Sequence, residues 1–443
     1  MKSKTKFQTL PFIILCGWCL LPLFACLREL YTGATVTSEF LLDASRMSIY
    51  QDVFMCMGLF TLLPLLFYLA KKSSNISISF NKVKSYFKNN AWILFYILLL
   101  LWITFSALHS PSLIDAFAGA RYRNMGLFTY IVFGCIMICP LLLKSEQKQL
   151  FLMYLFLAVA DLVAVVMLIQ EKNLPLFNNA FGMLRSSVFV HFNHLGYYLN
   201  LASICASGLL IFEHKKSRCL QTFTFLSLLL LFYTLLINNT MGGILSCLIT
   251  SVILLWFYYL RNRHLDLPQF IPIIAIVILV ALSYTGCFAS SSGENMSDNF
   301  MGLYTDANKL IENENVDSIG TLRFSLWKYY GKMIPEHPIF GLGPDQEPVG
   351  YETYVISDRP ANEYLYHAVF HGIPALIFYL GFLISLAVYG FKHINELSPS
   401  AMIAAGCVIT YCISAFFGNA IYYTACYLFL FLGFLLPRNN QID

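Results

Sequence analysis

Apolar runs about one membrane thick, parted by short polar connections, recur from end to end of this chain. A membrane-crossing helix needs about 20 such residues. The pattern predicts spans near 9–27, 51–70, 91–108, 127–143, 150–170, 190–212, 220–237, 241–260, 268–288, 365–390, 400–417 and 421–436. The third, fourth, seventh, eleventh and twelfth are on the short side. One polar interval is long: it covers about 289–364, between the ninth and tenth spans, and the stretch 321–375 closes it. The expectation is an all-α polytopic membrane protein of about twelve transmembrane helices, with residues 1–443 forming one membrane domain.

Composition supports that reading. The 443 residues are 58% hydrophobic and 12% charged, where a soluble domain carries about 25% charge. The mean hydropathy is +0.66. The net charge of +4 is small, so its sidedness says more than its size. One set of connections holds Lys2, Lys4, Lys6, Lys71, Lys72, Lys82, Lys84, Lys88, Lys144, Lys148, Lys215, Lys216, Arg218, Arg261, Arg263, Lys392 and Arg438. The short loops of the other side hold Arg28, Arg46, Arg121, Arg123, Lys172 and Arg185. Basic residues favour the cytoplasmic side. Both termini are therefore expected in the cytoplasm and the loop 289–364 outside it.

Other classes find little support. No basic stripe interleaved with aromatics appears, which argues against nucleic acid as a partner. Thirteen cysteines are present, but most sit in apolar runs, as small buried hydrophobes do. Cys16-Gly-Trp-Cys19 has redox spacing, yet it lies mid-helix without a charge to lower a thiol pKa. The basic start followed by an apolar run has the look of a signal peptide; with so many spans following, an uncleaved first helix is expected.

The long interval holds most of the candidate chemistry. Leu322, Leu326, Tyr329, Tyr330 and Met333 have helical spacing, which predicts an amphipathic helix over 321–334, lying on the outer membrane face. Pro335 and Pro338 would end it, and Gly341-Leu342-Gly343-Pro344 would turn. A second helix is expected to start after Pro360 and run into the tenth span. Glu363, His367 and His371 would share one of its faces. Arg121, Arg123, Arg185, Arg323 and Arg359 all fall on the outer side, against the inward bias. Their planar forks suit a phosphate-like anion; pairing with the loop's own acids, or snorkelling to headgroups, is the plainer alternative for any one of them. Metal chemistry is not expected. Asp-x-Asp is absent, the one Glu-x-Glu (Glu312, Glu314) lies in a solvated run, and His367-x-x-x-His371 alone has ligand spacing. Serine-hydrolase and phosphate-loop signatures are missing.

Arg323…Trp327…Pro338-Ile339-Phe340-Gly341-Leu342-Gly343-Pro344, then Asn362-Glu363-Tyr364-Leu365 and Gly372-Ile373-Pro374-Ala375, resembles the signature region of the O-antigen ligase/polymerase family. Weaker echoes are Arg121-Tyr122-Arg123-Asn124-Met125-Gly126-Leu127 and His191-Phe192-Asn193-His194-Leu195. The resemblance implies a GT-C-like membrane glycosyltransferase of the bacterial cytoplasmic membrane. Such an enzyme moves a glycan from an undecaprenyl-pyrophosphate carrier to a hydroxyl of a glycan or glycolipid acceptor, outside the cytoplasm and without cofactor or metal. Arg323 with Arg121, Arg123 or Arg185 would hold the pyrophosphate. Glu363 or His367 would orient or deprotonate the acceptor, and Asn362, His371 and Asn193 would position substrate. Two departures stand out. Ala361 occupies the place of the family's usual histidine, and Thr240-Met241 that of its Ser-Arg. A degenerate member without activity is one alternative that these leave. A transporter or flippase is the other, with Asp161 in the fifth span and Asp115 as its nearest candidate residues.

Overall fold

A main chain inside a bilayer has no water to bond, so each apolar run closes its hydrogen bonds as a helix. The computed structural model describes residues 9–32, 51–66, 90–120, 123–143, 145–172, 185–189, 191–213, 217–288, 296–312, 316–320, 322–346, 359–419 and 421–436. Among the described residues the regular elements are all helical. In chain order the first eight are α1 (Thr9–Thr32), α2 (Gln51–Leu66), α3 (Ala91–Leu108), α4 (Leu113–Ala118), α5 (Leu127–Ile138), α6 (Glu146–Glu171), α7 (Phe192–Phe212) and α8 (Arg218–Asn238). The rest are α9 (Met241–Asn262), α10 (Leu267–Tyr284), α11 (Met296–Glu312), α12 (Arg323–Gly331), α13 (Glu363–Phe370), α14 (Ile373–Lys392), α15 (Pro399–Ser414) and α16 (Tyr422–Leu435). Short 3-10 turns extend α5 over Cys139–Leu142 and α15 over Ala415–Phe417.

Eight of these are long and apolar enough to cross a membrane: α3, α6, α7, α8, α9, α10, α14, and α15 with its extension. Shorter apolar helices at Thr9–Phe24, Gln51–Leu66, Leu127–Leu142 and Tyr422–Leu435 stand where the first, second, fourth and twelfth spans were expected. The third, seventh and eleventh, expected to be short, reach spanning length. The protein is thus an all-helical, multi-pass membrane protein.

α7 is the axis of the bundle. Its apolar window is 94% buried, against 22% for α14 and 28% for α10, and α8, α9 and α15 pack around it. Small residues let these neighbours come close: Gly196, Ala202, Ser203, Ala206, Ser207 and Gly208 line α7. One polar knot locks the group at its centre. Asn200 Nδ2 donates to Ser246 Oγ on α9 (2.8 Å) and to Ser414 Oγ on α15 (2.7 Å), while its Oδ1 accepts from Thr410 Oγ1 (2.8 Å). Around this axis α14 pairs with α3, α16 with α15 and α5, and α1 with α6. Asp161 on α6 accepts from Ser227 Oγ on α8 at 2.6 Å.

Hydrogen bonds sort the helix termini into two ends. At one end, Ser106 near the close of α3 donates to Phe340 O and Phe370 O (2.6 and 3.3 Å), and Asn238 at the close of α8 donates to Phe192 O (3.0 Å). At the other end Arg261 donates to Leu397 O (2.8 Å) and Ser400 to Gln149 (2.9 Å).

The structure corrects two expectations about the long interval. The stretch 321–334 forms a helix only over Arg323–Gly331, and it is no surface float. Leu326 and Tyr330 are buried, and Trp327 packs edge-on to Phe416 at 5.5 Å. Its apolar side chains are spent on the bundle, not on lipid. The amphipathic helix of this interval is α11, in a segment whose polar composition hid the pattern. The second correction concerns the helix expected to run from Pro360 into the tenth span. It breaks at Gly372, where φ is +86°, and leaves α13 as a separate two-turn helix.

Candidate functional site

The site is assembled from a glycine loop upward. Residues 338–343 thread between α3 and the break that separates α13 from α14. Leu342 N–H donates to Val369 O and Gly343 N–H to Phe370 O, each at 2.9 Å, and Ile373 N–H returns to Pro338 O at 2.9 Å. These bonds satisfy the carbonyls left open at the end of α13. Trp102 and His109 of the α3 end close the loop from the other side. Trp102 Nε1 donates to Ile339 O (3.0 Å), and the His109 ring lies flat on Phe340 at 4.0 Å. The approach is so tight that a Cβ on Gly372 would stand 2.0 Å from Ile339 O, and one on Gly341 2.5 Å from the carbonyl carbon of Phe370. The turn expected at Gly341-Leu342-Gly343-Pro344 is present, and Gly372 joins it as a packing residue.

Beyond the glycines the chain places Asp345, which is fully buried. Its Oδ1 meets Arg359 Nη2 at 2.5 Å, and its Oδ2 accepts the main-chain N–H groups of Ala120 (2.6 Å) and Met125 (3.0 Å). Arg359 also lies over the rings of Phe370 (4.7 Å) and Tyr366 (5.7 Å). The expectation that Arg359 joins an anion-binding set is therefore overturned, because its charge is consumed by a buried partner. Asp345 does something that no sequence pattern announced. It pins both ends of the turn 120–125, the turn that presents Arg123.

The charges of Arg123 and Arg323 both act on His191. That histidine caps α7, its Nδ1 accepting the Asn193 N–H at 3.1 Å. Burial holds its pKa down to about 4, and the nearby guanidinium groups of Arg123 and Arg323 press in the same direction. The arginines come from opposite parts of the chain. Arg123 stands before α5, while Arg323 opens α12 with its Nη1 bonded to Gly320 O at 3.3 Å. Arg323 also bears on Tyr197, whose hydroxyl donates to Phe417 O at 3.0 Å. Tyr197 escaped the sequence reading, which quoted His191 within a family echo but gave it no role.

The remaining candidates divide. Arg185 sits at the same end with φ +76°, its carbonyl held by Asn238 Nδ2 at 2.9 Å. Arg121 lies outside the described residues. Asn193 contributes its N–H to the cap, and Asn362 uses its side-chain oxygen to cap α13 through Leu365 N–H at 2.9 Å. Glu363 is buried, with one oxygen accepting from Tyr379 (2.7 Å) and the other from Tyr411 (2.9 Å). Burial raises its pKa, and the two hydroxyls oppose that rise. It therefore bridges α13, α14 and α15. His367 and His371 are buried deeper still, with facing Nδ1 atoms 3.1 Å apart. Burial brings His367 down to about 3, which keeps its ring neutral.

Residues 226–380 match the family model for O-antigen ligase. This segment is an O-antigen ligase family domain. No curated protein matches the chain. The O-antigen ligase segment holds Arg323, Asp345, Arg359, Glu363, His367 and His371, whereas Arg123, Arg185 and His191 reach the site from the chain before it. The departures from the family pattern take definite shape. Ala361 has φ +49°, an unusual backbone for a residue with a Cβ. Thr240 turns its hydroxyl to Asn238 Oδ1 and precedes the first residue of α9.

Proposed function

We propose that this protein transfers an undecaprenyl-pyrophosphate-linked oligosaccharide or polysaccharide to an acceptor hydroxyl during surface-polysaccharide biosynthesis, as a ligase or polymerase. What supports the reading is that the charges of Arg123 and Arg323, one from outside the family segment and one from inside it, both act on His191, at the end of the bundle where the glycine loop and the Asp345-pinned turn lie. In the reaction the bond from the sugar's anomeric carbon to the diphosphate breaks, and the acceptor oxygen bonds that carbon. The carrier diphosphate leaves with the electron pair, and the acceptor proton passes to a base. Charge grows on the leaving diphosphate, so preorganised cations there lower the barrier. Arg323 and Arg123 fill that role, and Arg185 stands at the same end of the bundle. Glu363, clamped by two tyrosines, orients the wall beneath the acceptor, while His367 and His371 stiffen α13 and Asn362 starts it beside the substrate.

The positive-inside count supports twelve spans with both termini in the cytoplasm, which puts the arginine end outside. A diphosphate headgroup would then meet the site at the membrane surface.

Arg323→Ala should abolish surface glycan while the protein still reaches the membrane at the wild-type level. Each charged hydrogen bond lost is worth about 1.5–3 kcal/mol, so transfer should fall by roughly tenfold or more per bond. Surface glycan of normal amount and length from the variant would refute the assignment. Single repeat units accumulating on the carrier would mark a polymerase, and long carrier-bound chains a ligase.

A further inference from the structure

α11 is amphipathic in the inverted sense. Phe300, Leu303, Tyr304, Leu310 and Ile311 recur at helical spacing along one side of Met296–Glu312. In a water-soluble fold this side would be buried, yet here it points away from the protein. Ile311 is 81% exposed and Tyr304 63%. The polar side is the one that holds the protein. Asn299 donates to Asn239, which ends α8; Asp306 accepts from Gly320 N–H at 2.9 Å; and Lys309 donates to Ser318 Oγ at 2.9 Å. A helix that bonds the protein with its polar face and offers its apolar face outward is arranged for an apolar surrounding.

The neighbouring surface identifies that surrounding. α10, a spanning helix, exposes Ile274, Val277 and Ile278 along a side that only lipid can cover in a membrane. Tyr284 at its close meets Phe300 of α11 edge-on at 6.0 Å. The exposed face of α11 therefore continues the lipid-facing side of α10 around the arginine end of the bundle. We infer that α11 lies along the membrane surface there, with its apolar face in the boundary between headgroups and acyl chains. Its polar anchors then fix the height of the site. Gly320 accepts from Arg323, so the helix that floats on the lipid also ties down the strut bearing that arginine. This assignment stands whether or not the protein transfers glycans.

The test places a photoreactive benzoylphenylalanine at Tyr304, Ile311 or Thr305 in the full chain, reconstituted in phosphatidylcholine vesicles. Thr305 is exposed too, turned about 100° round the helix from Tyr304. Tyr304 and Ile311 should yield phospholipid adducts by mass spectrometry, and Thr305 should lose them. The replaced side chains are exposed, so insertion is expected to be undisturbed. A wild-type melting temperature for each variant is the check for substitution damage, and an intact protein without lipid adducts at 304 and 311 would overturn the inference. Cross-links from 304 and 311 to a second copy of the chain would overturn the inference in favour of self-association. Equal lipid labelling at all three positions would overturn the orientation.

Discussion

Gly372→Ala should destabilise the protein by at least about 3 kcal/mol. Gly372 has φ +86° and ψ 165°, a region open to glycine and closed to nearly every other residue, with a cost of about 1–3 kcal/mol for backbone strain alone. The added Cβ would also stand 2.0 Å from Ile339 O. Neither side can yield cheaply. Ile339 O already accepts from Trp102, and the adjacent Pro338 carbonyl accepts from Ile373. The variant should show a clear fall in the melting temperature of detergent-solubilised protein and a lower yield in the membrane. Gly390→Ala is the matched control, in the same region of the chain but with open space around its Cβ position. There a helical glycine becomes a better helix former, worth up to about 1 kcal/mol. If both variants melt like the wild type, the clasp between the glycine loop and the α13–α14 break is not as described.

The second large effect concerns the buried ion pair. Asp345→Ala leaves Arg359 charged at 3% exposure and removes the acceptor for two main-chain N–H groups. Breaking a buried pair from one side costs about 3–5 kcal/mol. Replacing both partners is expected to behave differently. Asp345→Leu combined with Arg359→Met removes the stranded charge and should recover much of the lost melting temperature, since apolar replacements of buried pairs are often close to neutral. It should not recover transfer, because no carboxylate then bonds Ala120 and Met125, and the turn carrying Arg123 is no longer pinned. A single-substitution variant as stable as the wild type would contradict the buried pair. A double variant with full transfer would show that Arg123 needs no such support.

The spanning helices were legible because lipid imposes one rule on every residue of a run, and twenty apolar positions leave few alternatives. The site was legible in pieces. Arg123, Arg323, Glu363 and His367 could be singled out as polar residues in the wrong solvent or at helical spacing. Their company could not, since Arg123, His191 and Arg323 stand far apart in sequence and act on one another only through the fold. Arg359 illustrates the same limit: an outward arginine has the same appearance whether its partner is a ligand or Asp345. The break at Gly372 was missed because the apolar run that continued beyond it outweighed the break signal of Gly372 followed by Pro374. α11 was missed because its apolar residues are diluted among asparagines and acids, where composition reads as loop although the spacing is helical.

A double-mutant cycle on Arg123 and Arg323 tests most directly whether the two grip one diphosphate. Transfer from a polyprenyl-diphosphate-linked glycan would be measured for Arg123→Ala, Arg323→Ala and the double variant, with each protein shown to be folded by its melting temperature. Residues that share one ligand give coupling energies of about 0.5–3 kcal/mol, whereas independent sites add. The predicted result is a double variant far less impaired than the product of the single losses. Strictly additive losses, or no loss from Arg123→Ala, would contradict the account.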